Sequence, residues 1–162
     1  MPVKKITRIA LLSAILYVSK VALEMLPNVE LVSVLIMAYT LVFGAETLWI
    51  ITVFNLFELI QWGFGSWWIS YLYVWPLLCV VVLLLKKPLK EEFLIWSVIA
   101  GCFGLLFGSL FAIAYLPVDP SYALAYWISG LMWDVWHGVW NFILMMVLGK
   151  PLYRLLSKLK SI

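Results

Sequence analysis

Charge is scarce in this chain: 12% of its 162 residues are Asp, Glu, Lys or Arg, while 66% are hydrophobic and the mean hydropathy is +1.09. A water-soluble domain of this length needs far more polar surface, so the deficit excludes one and implies an integral membrane protein. Cysteine is nearly missing as well. Cys79 and Cys102 both fall inside apolar runs, with no CxxC pair and no extracellular framework, which leaves them as small core residues. The sequence has one histidine, His137, and no nucleotide-binding motif, Gly-rich phosphate loop or metal-ligand cluster. No cofactor and no nucleic-acid partner is therefore expected, and energy-driven work has to draw on a gradient or on a partner. Connections between the apolar runs are too short for a second domain, so residues 1–162 form a single transmembrane unit.

What is present is a succession of apolar runs suited to ~30 Å of hydrocarbon. Six can be marked out, at 6–26, 29–43, 45–62, 67–85, 93–116 and 122–148. Pro27-Asn28, Gly44, Gly63-Phe64-Gly65 and Pro117-Val118-Asp119-Pro120 separate them, and Pro76 predicts a kink inside the fourth. The first run follows Lys4, Lys5 and Arg8 as the apolar part of a signal peptide would. It carries Lys20 and Glu24 and lacks a small-x-small cleavage site, so a retained helix is expected. Basic residues form three clusters: Lys4, Lys5 and Arg8; Lys86, Lys87 and Lys90; and Lys150, Arg154, Lys158 and Lys160. Six crossings put all three on one face, which the positive-inside rule makes cytoplasmic. The expected fold is an all-α bundle of six transmembrane helices with both termini in the cytoplasm.

Lys20 is the one basic residue that this topology leaves over, and it belongs to a set of polar side chains inside the spans. Ionised residues at a helix centre cost roughly 2.5 to 3.5 kcal/mol each, so several on a lipid face are untenable and they must face inward. Lys20, Glu24, Glu30, Glu58 and Gln61 fall in the outer half, with Asn55, Asp134, His137 and Asn141 near the midplane. Lys20 and Glu24, four apart, can pair on their own helix. Glu58 has no partner at helical spacing, which makes it the leading substrate-contacting carboxylate. Glu46 sits at the inner boundary as a helix-start carboxylate.

The stretch from Trp133 to Asn141 concentrates this pattern. Asp134, His137 and Asn141 lie at i, i+3 and i+7, one helical stripe, overlapped by an aromatic face of Trp133, Trp136 and Trp140. The stripe is either the floor of a polar cavity or a hydrogen-bonded brace between helices, and Asn55 and Asn141 suit the bracing role. A cavity open to the outside would hydrate the whole set. Around Gly63 to Ser66, the aromatics Trp62, Trp67 and Trp68 with Tyr71 and Tyr73 suit an interfacial belt, a Gly-hinged loop closing over a ligand, or both. Ala10 and Ala14 make an AxxxA pair on the first helix, and Ala100, Gly104, Gly108 and Ala112 a small-residue ridge on the fifth, where helices can approach closely.

A small chain of six spans with cytoplasmic termini, the Ala10/Ala14 pair, outward-gathered polar and aromatic residues, and the segment 133–142 followed by Gly149-Lys150-Pro151-Leu152-Tyr153 together resemble the substrate-binding S component of energy-coupling factor (ECF) vitamin transporters. The resemblance spans essentially the whole chain. It implies a non-enzymatic protein in the plasma membrane of a prokaryote that binds a vitamin or related micronutrient from outside. It also implies a membrane coupling subunit and two cytoplasmic ATPases as partners, with Ala10 and Ala14 touching the coupling subunit. No thiamine, riboflavin or biotin signature is present. The candidate pocket residues are Glu58, Asp134, His137, Lys20, Glu30, Gln61, Trp62, Trp67, Trp133 and Asn141. They suit a flat nitrogen-containing ring stacked on Trp and hydrogen-bonded by Glu58 and Asp134, as in a pyrimidine or pyridine vitamin; a corrinoid and pantothenate stay open. The competing reading is a stand-alone proton-coupled carrier in which Asp134 and His137 relay protons and Glu58 couples them to substrate.

Overall fold

A computed structural model describes residues 2–89 and 91–160. Lys90, assigned above to the second basic cluster, lies outside the described residues. The described chain is all-helical: α1 (Val3–Leu23), α2 (Val32–Phe43), α3 (Thr47–Trp62), α4 (Ser66–Leu89), α5 (Phe93–Ala112) and α6 (Pro120–Lys160). Five segments are long and apolar enough to cross a membrane, α2 and α3 counting together as Val32–Trp62 because only the 3-10 turn Gly44–Glu46 parts them. The helix breaks fall where the sequence predicts them. Gly44 has φ +66° and Gly63 φ +74°, left-handed values that a side chain resists.

Two boundaries differ from the sequence reading. The connection after α1 runs from Glu24 to Leu31 instead of the expected Pro27-Asn28 pair, and it folds back over the bundle. At its tip Asn28 takes φ +56°, a conformation its short polar side chain tolerates. Helix α6 continues to Lys160, far past residue 148, with Pro151 inside it. Its 41 residues make about 60 Å, about twice a hydrocarbon core, so a large part of it reaches beyond the apolar layer. Pro76 and Pro88 likewise sit within α4 without ending it.

Inter-helix contacts fix the relative directions. Arg8 meets Glu46, Ser13 the carbonyl of Ile50, and Tyr17 the ring of Phe57, so α1 and α3 run the same way. Ser33 meets Asn141 and Val42 meets Lys160, which aligns α2 with α6. Thr40 meets Cys79, and the turn at Gly44 meets Lys86, which aligns α2 with α4. Helices α3 and α4, α4 and α5, and α5 and α6 are antiparallel neighbours, joined by the pairs Asn55–Tyr71, Tyr73–Leu110 and Gly108–Asp134.

The core is centred on α2. Ten of its twelve residues are buried, because α1, α3, α4 and α6 surround it. A helix enclosed by protein needs little length of its own, and the short α2 leaves space at one end of the bundle. The closest packing joins α5 to α6. A Cβ on Gly104 would come within 2.7 Å of the Gly138 Cα, so backbone packs on backbone where only glycine fits.

Candidate functional site

The space above α2 is divided into two cavities. The smaller, about 200 Å³, has Lys20, Glu24, Glu30, Trp75, Phe107 and His137 in its wall. The larger, about 580 Å³, lies against Gly108, Tyr126, Trp133 and Asp134. Pro27, Asn28, Phe107 and His137 belong to both, so they form the partition. Asn28 Nδ2 donates to the carbonyl of Trp133 at 3.3 Å, which fastens the α1–α2 connection to α6.

Each polar group is held by a neighbouring helix. Glu30 precedes α2 and accepts from the Ser33 backbone N–H at 2.9 Å, capping the free amides of that helix start. Its other oxygen lies 3.2 Å from His137 Nε2. Burial raises the Glu30 pKa, but the hydrogen bond and charge of His137 and the bonds from Ser33 outweigh it and hold the carboxyl below its ordinary value. Deeper in the bundle, Asn141 Nδ2 donates to Ser33 Oγ at 3.2 Å. Asp134 Oδ1 accepts from the Gly108 backbone N–H at 2.9 Å, and a Cβ on Gly108 would collide with the carboxylate. Lys20 Nζ lies 2.6 Å from Glu58 Oε2 and 5.7 Å from the centre of the Trp62 ring.

Several buried polar atoms have no hydrogen-bond partner among the described residues. They include Asp134 Oδ2, Glu58 Oε1 and the indole N–H of Trp75. Such groups are rare in a finished core and mark places where water or a ligand completes the bonding. The wall beside them is aromatic. Tyr71 and Trp75 lie 5.3 Å apart, Trp75 and Phe107 5.4 Å, and Phe107 and the His137 ring 4.8 Å, centre to centre.

No family model, curated protein or solved structure matches this chain. The site is therefore described by its own chemistry: a concave, mixed acidic and aromatic surface with two acid–base pairs. Among the described residues no three His, Cys, Asp or Glu side chains gather at metal-binding spacing.

Of the residues singled out in the sequence, Lys20, Glu30 and His137 meet at the smaller cavity, and Asp134, His137 and Trp133 at the larger. Glu58 stands behind Lys20, fully buried, and Asn141 lies below the cavities against Ser33. Gln61 is exposed, and Trp62 and Trp67 line neither cavity. Lys20 pairs across helices with Glu58, so the same-helix pairing with Glu24 is corrected. Asp134 and His137 do not bond to each other; each braces a different helix, α5 and α2. On the aromatic face of α6, Trp133, at the rim of the larger cavity, and Trp136 are 54% and 47% exposed, while Asp134, His137 and Asn141 are buried. The sequence reading missed Trp75 and Phe107 and placed Tyr71 in an interfacial belt or a ligand-closing loop instead of a cavity wall inside the bundle. Their signal was an aromatic spacing of four, Tyr71 and Trp75 on one helix and Phe103, Phe107 and Phe111 on the next.

Proposed function

We propose that this chain is a substrate-capturing membrane subunit that takes up a small ring-containing solute from outside a prokaryotic cell and passes it to an ECF module of one membrane coupling subunit and two ATPases. The observation that carries the reading is positional. The two cavities lined by acidic and aromatic residues lie at the end of the bundle opposite Lys5, Arg8, Lys86 and the basic C-terminal turns of α6, whereas the space of about 620 Å³ at the basic end has cations and aliphatic side chains in its wall. Under the positive-inside rule that basic end is cytoplasmic, and the cavity end then faces outward. The alternating helix directions support six crossings with both termini on the basic side, α2 crossing as a short, protein-enclosed helix.

Taken alone, the smaller cavity is below the roughly 300 Å³ at which pockets for drug-sized ligands begin, which suits a single-ring compound; a corrinoid would need the larger cavity as well. Ala10 is exposed and Ala14 half-buried on α1, beside exposed Leu11, Ile15 and Val18, and this smooth apolar face suits a helix of the coupling subunit. The test is mass spectrometry of small molecules retained by the purified protein, followed by binding of the same compound. An empty protein that binds no vitamin and does not copurify with a coexpressed coupling module refutes the proposal. Bulky replacements at Ala10 and Ala14 are expected to weaken assembly and spare binding.

A second reading, a stand-alone proton-coupled carrier, draws on the two acid–base pairs Lys20–Glu58 and Glu30–His137. Proton-driven uptake into liposomes that contain this chain alone would establish it in place of the first.

A further inference from the structure

The charge of the cavity selects its ligand. Three carboxylates serve the smaller cavity, Glu24 and Glu30 in its wall and Glu58 directly behind Lys20. Among the described residues Lys20 is the only permanent cation in that wall, and its ammonium group is already engaged by Glu58 at 2.6 Å. His137 can neutralise at most one more carboxylate, Glu30, with which it is in contact at 3.2 Å. With the three carboxylates ionised, negative charge is left over whichever protonation state His137 adopts, and Glu24 has no hydrogen bond or ion pair from a side chain among the described residues. Asp134, across the partition, adds to the same sign. An anionic ligand entering this space would lose its hydration and meet repulsion, whereas a cation recovers both terms.

The non-polar wall narrows the class further. Tyr71, Trp75 and Phe107 line the cavity as a cluster of rings packed edge-on and tilted, and the face of such a ring attracts a flat cation through its quadrupole. Trp75 is 2% exposed and its N–H lacks an acceptor among the described residues, so a ligand carrying a carbonyl or ring nitrogen would complete it. We propose that the solute captured here is a singly charged heteroaromatic cation of one ring, bearing at least one hydrogen-bond acceptor. This rests on the capture function proposed above and adds the sign of the charge.

Calorimetric titration of the purified full-length protein in detergent separates the possibilities with three probes of one size: the N-methylpyridinium form of nicotinamide, nicotinamide itself, and nicotinate. The cation is expected to bind at least tenfold more tightly than the neutral compound, with no measurable binding of the anion. Glu24→Gln, at an exposed position that folding does not require, is expected to reduce the preference for the cation threefold or more, and added salt to narrow it. Equal binding of the three, or preference for nicotinate, overturns the inference. If none of the three binds, the compound retained by the purified protein decides. A retained cation supports the charge assignment; a retained neutral or anionic compound overturns it while the capture function stands. An empty protein with no heat from any probe removes both.

Discussion

The two ends of the bundle are both charged, yet they treat charge in opposite ways. At the basic end Glu46 is gripped by Arg8 through two hydrogen bonds of 2.8 and 2.9 Å and approached by Lys5 at 3.6 Å, while Lys160 donates to the carbonyl of Val42. Cations are in excess there, and the acid has more partners than it needs. At the cavity end carboxylates are in excess, and Asp134 Oδ2, Glu58 Oε1 and the Trp75 N–H are left without hydrogen bonds among the described residues. At the basic end the corresponding orphan is a neutral hydroxyl, Thr47 Oγ1 beside Glu46, whereas at the cavity end carboxylate oxygens are left over, and unmet capacity of that kind is where water or a ligand would complete the bonding.

The largest effect is expected at Lys20. Lys20→Met leaves the Glu58 carboxylate buried without its counter-ion and is expected to cost about 3 kcal/mol, read as a fall in the unfolding midpoint in detergent. Adding Glu58→Leu should return most of that stability; a double variant as unstable as the single one would show that the pair does not act as a unit. Next in size is Gly104→Val, expected to lose about 2 kcal/mol because the new side chain meets the Gly138 backbone, with ligand retention falling as α5 and α6 part. At the basic end Glu46→Gln is expected to cost at most about 1 kcal/mol, since Arg8 and Lys5 are partly exposed, and to leave ligand retention unchanged. Lost retention in that variant would erase the distinction between the ends.

The smallest effect sharpens the contrast by pH. The Glu30 carboxyl is held below its unfolded value, so its contribution to stability is present above the ordinary carboxylate range and is lost as pH falls through the depressed value. Melting curves recorded down that range should show the loss in the parent protein and its absence in Glu30→Gln. An unchanged acid response in the variant would place the sensitive group elsewhere.

Much of the scaffold was legible from residue order. Gly44 and the Gly63 segment mark helix ends because glycine accepts left-handed φ, and these are local effects; Pro27-Asn28 marks only the middle of a longer connection. The stripe of Asp134, His137 and Asn141 was legible because the helical period places them on one face and burial disfavours turning them to lipid. The partners of those residues were not. Lys20 has Glu24 within reach along its own helix, and the choice of Glu58 depends on the register of α1 against α3, which the packing around Ser13 and Ile50 sets. Tryptophan misled for a related reason. An indole suits a lipid boundary and a ligand wall equally well, so spacing alone could not tell that Trp133 and Trp136 are exposed and Trp75 is buried.

Residue order alone was enough for a helical membrane protein, for the helix breaks at Gly44 and Gly63, and for the inward turn of Glu58, Asp134, His137 and Asn141, though not for Gln61 and Glu24, which are exposed; each follows from the free energy of one residue or one turn in an apolar medium. The tertiary structure alone decided that α2 would be enclosed, that its shortness would open a space beneath the Glu24–Leu31 connection, and that this space would be bounded by Glu30, His137, Trp75 and Phe107. Those outcomes depend on which helices lie side by side and at what height. That is set by the summed contact of whole faces, including the approach of Gly104 to Gly138, and no single residue encodes it.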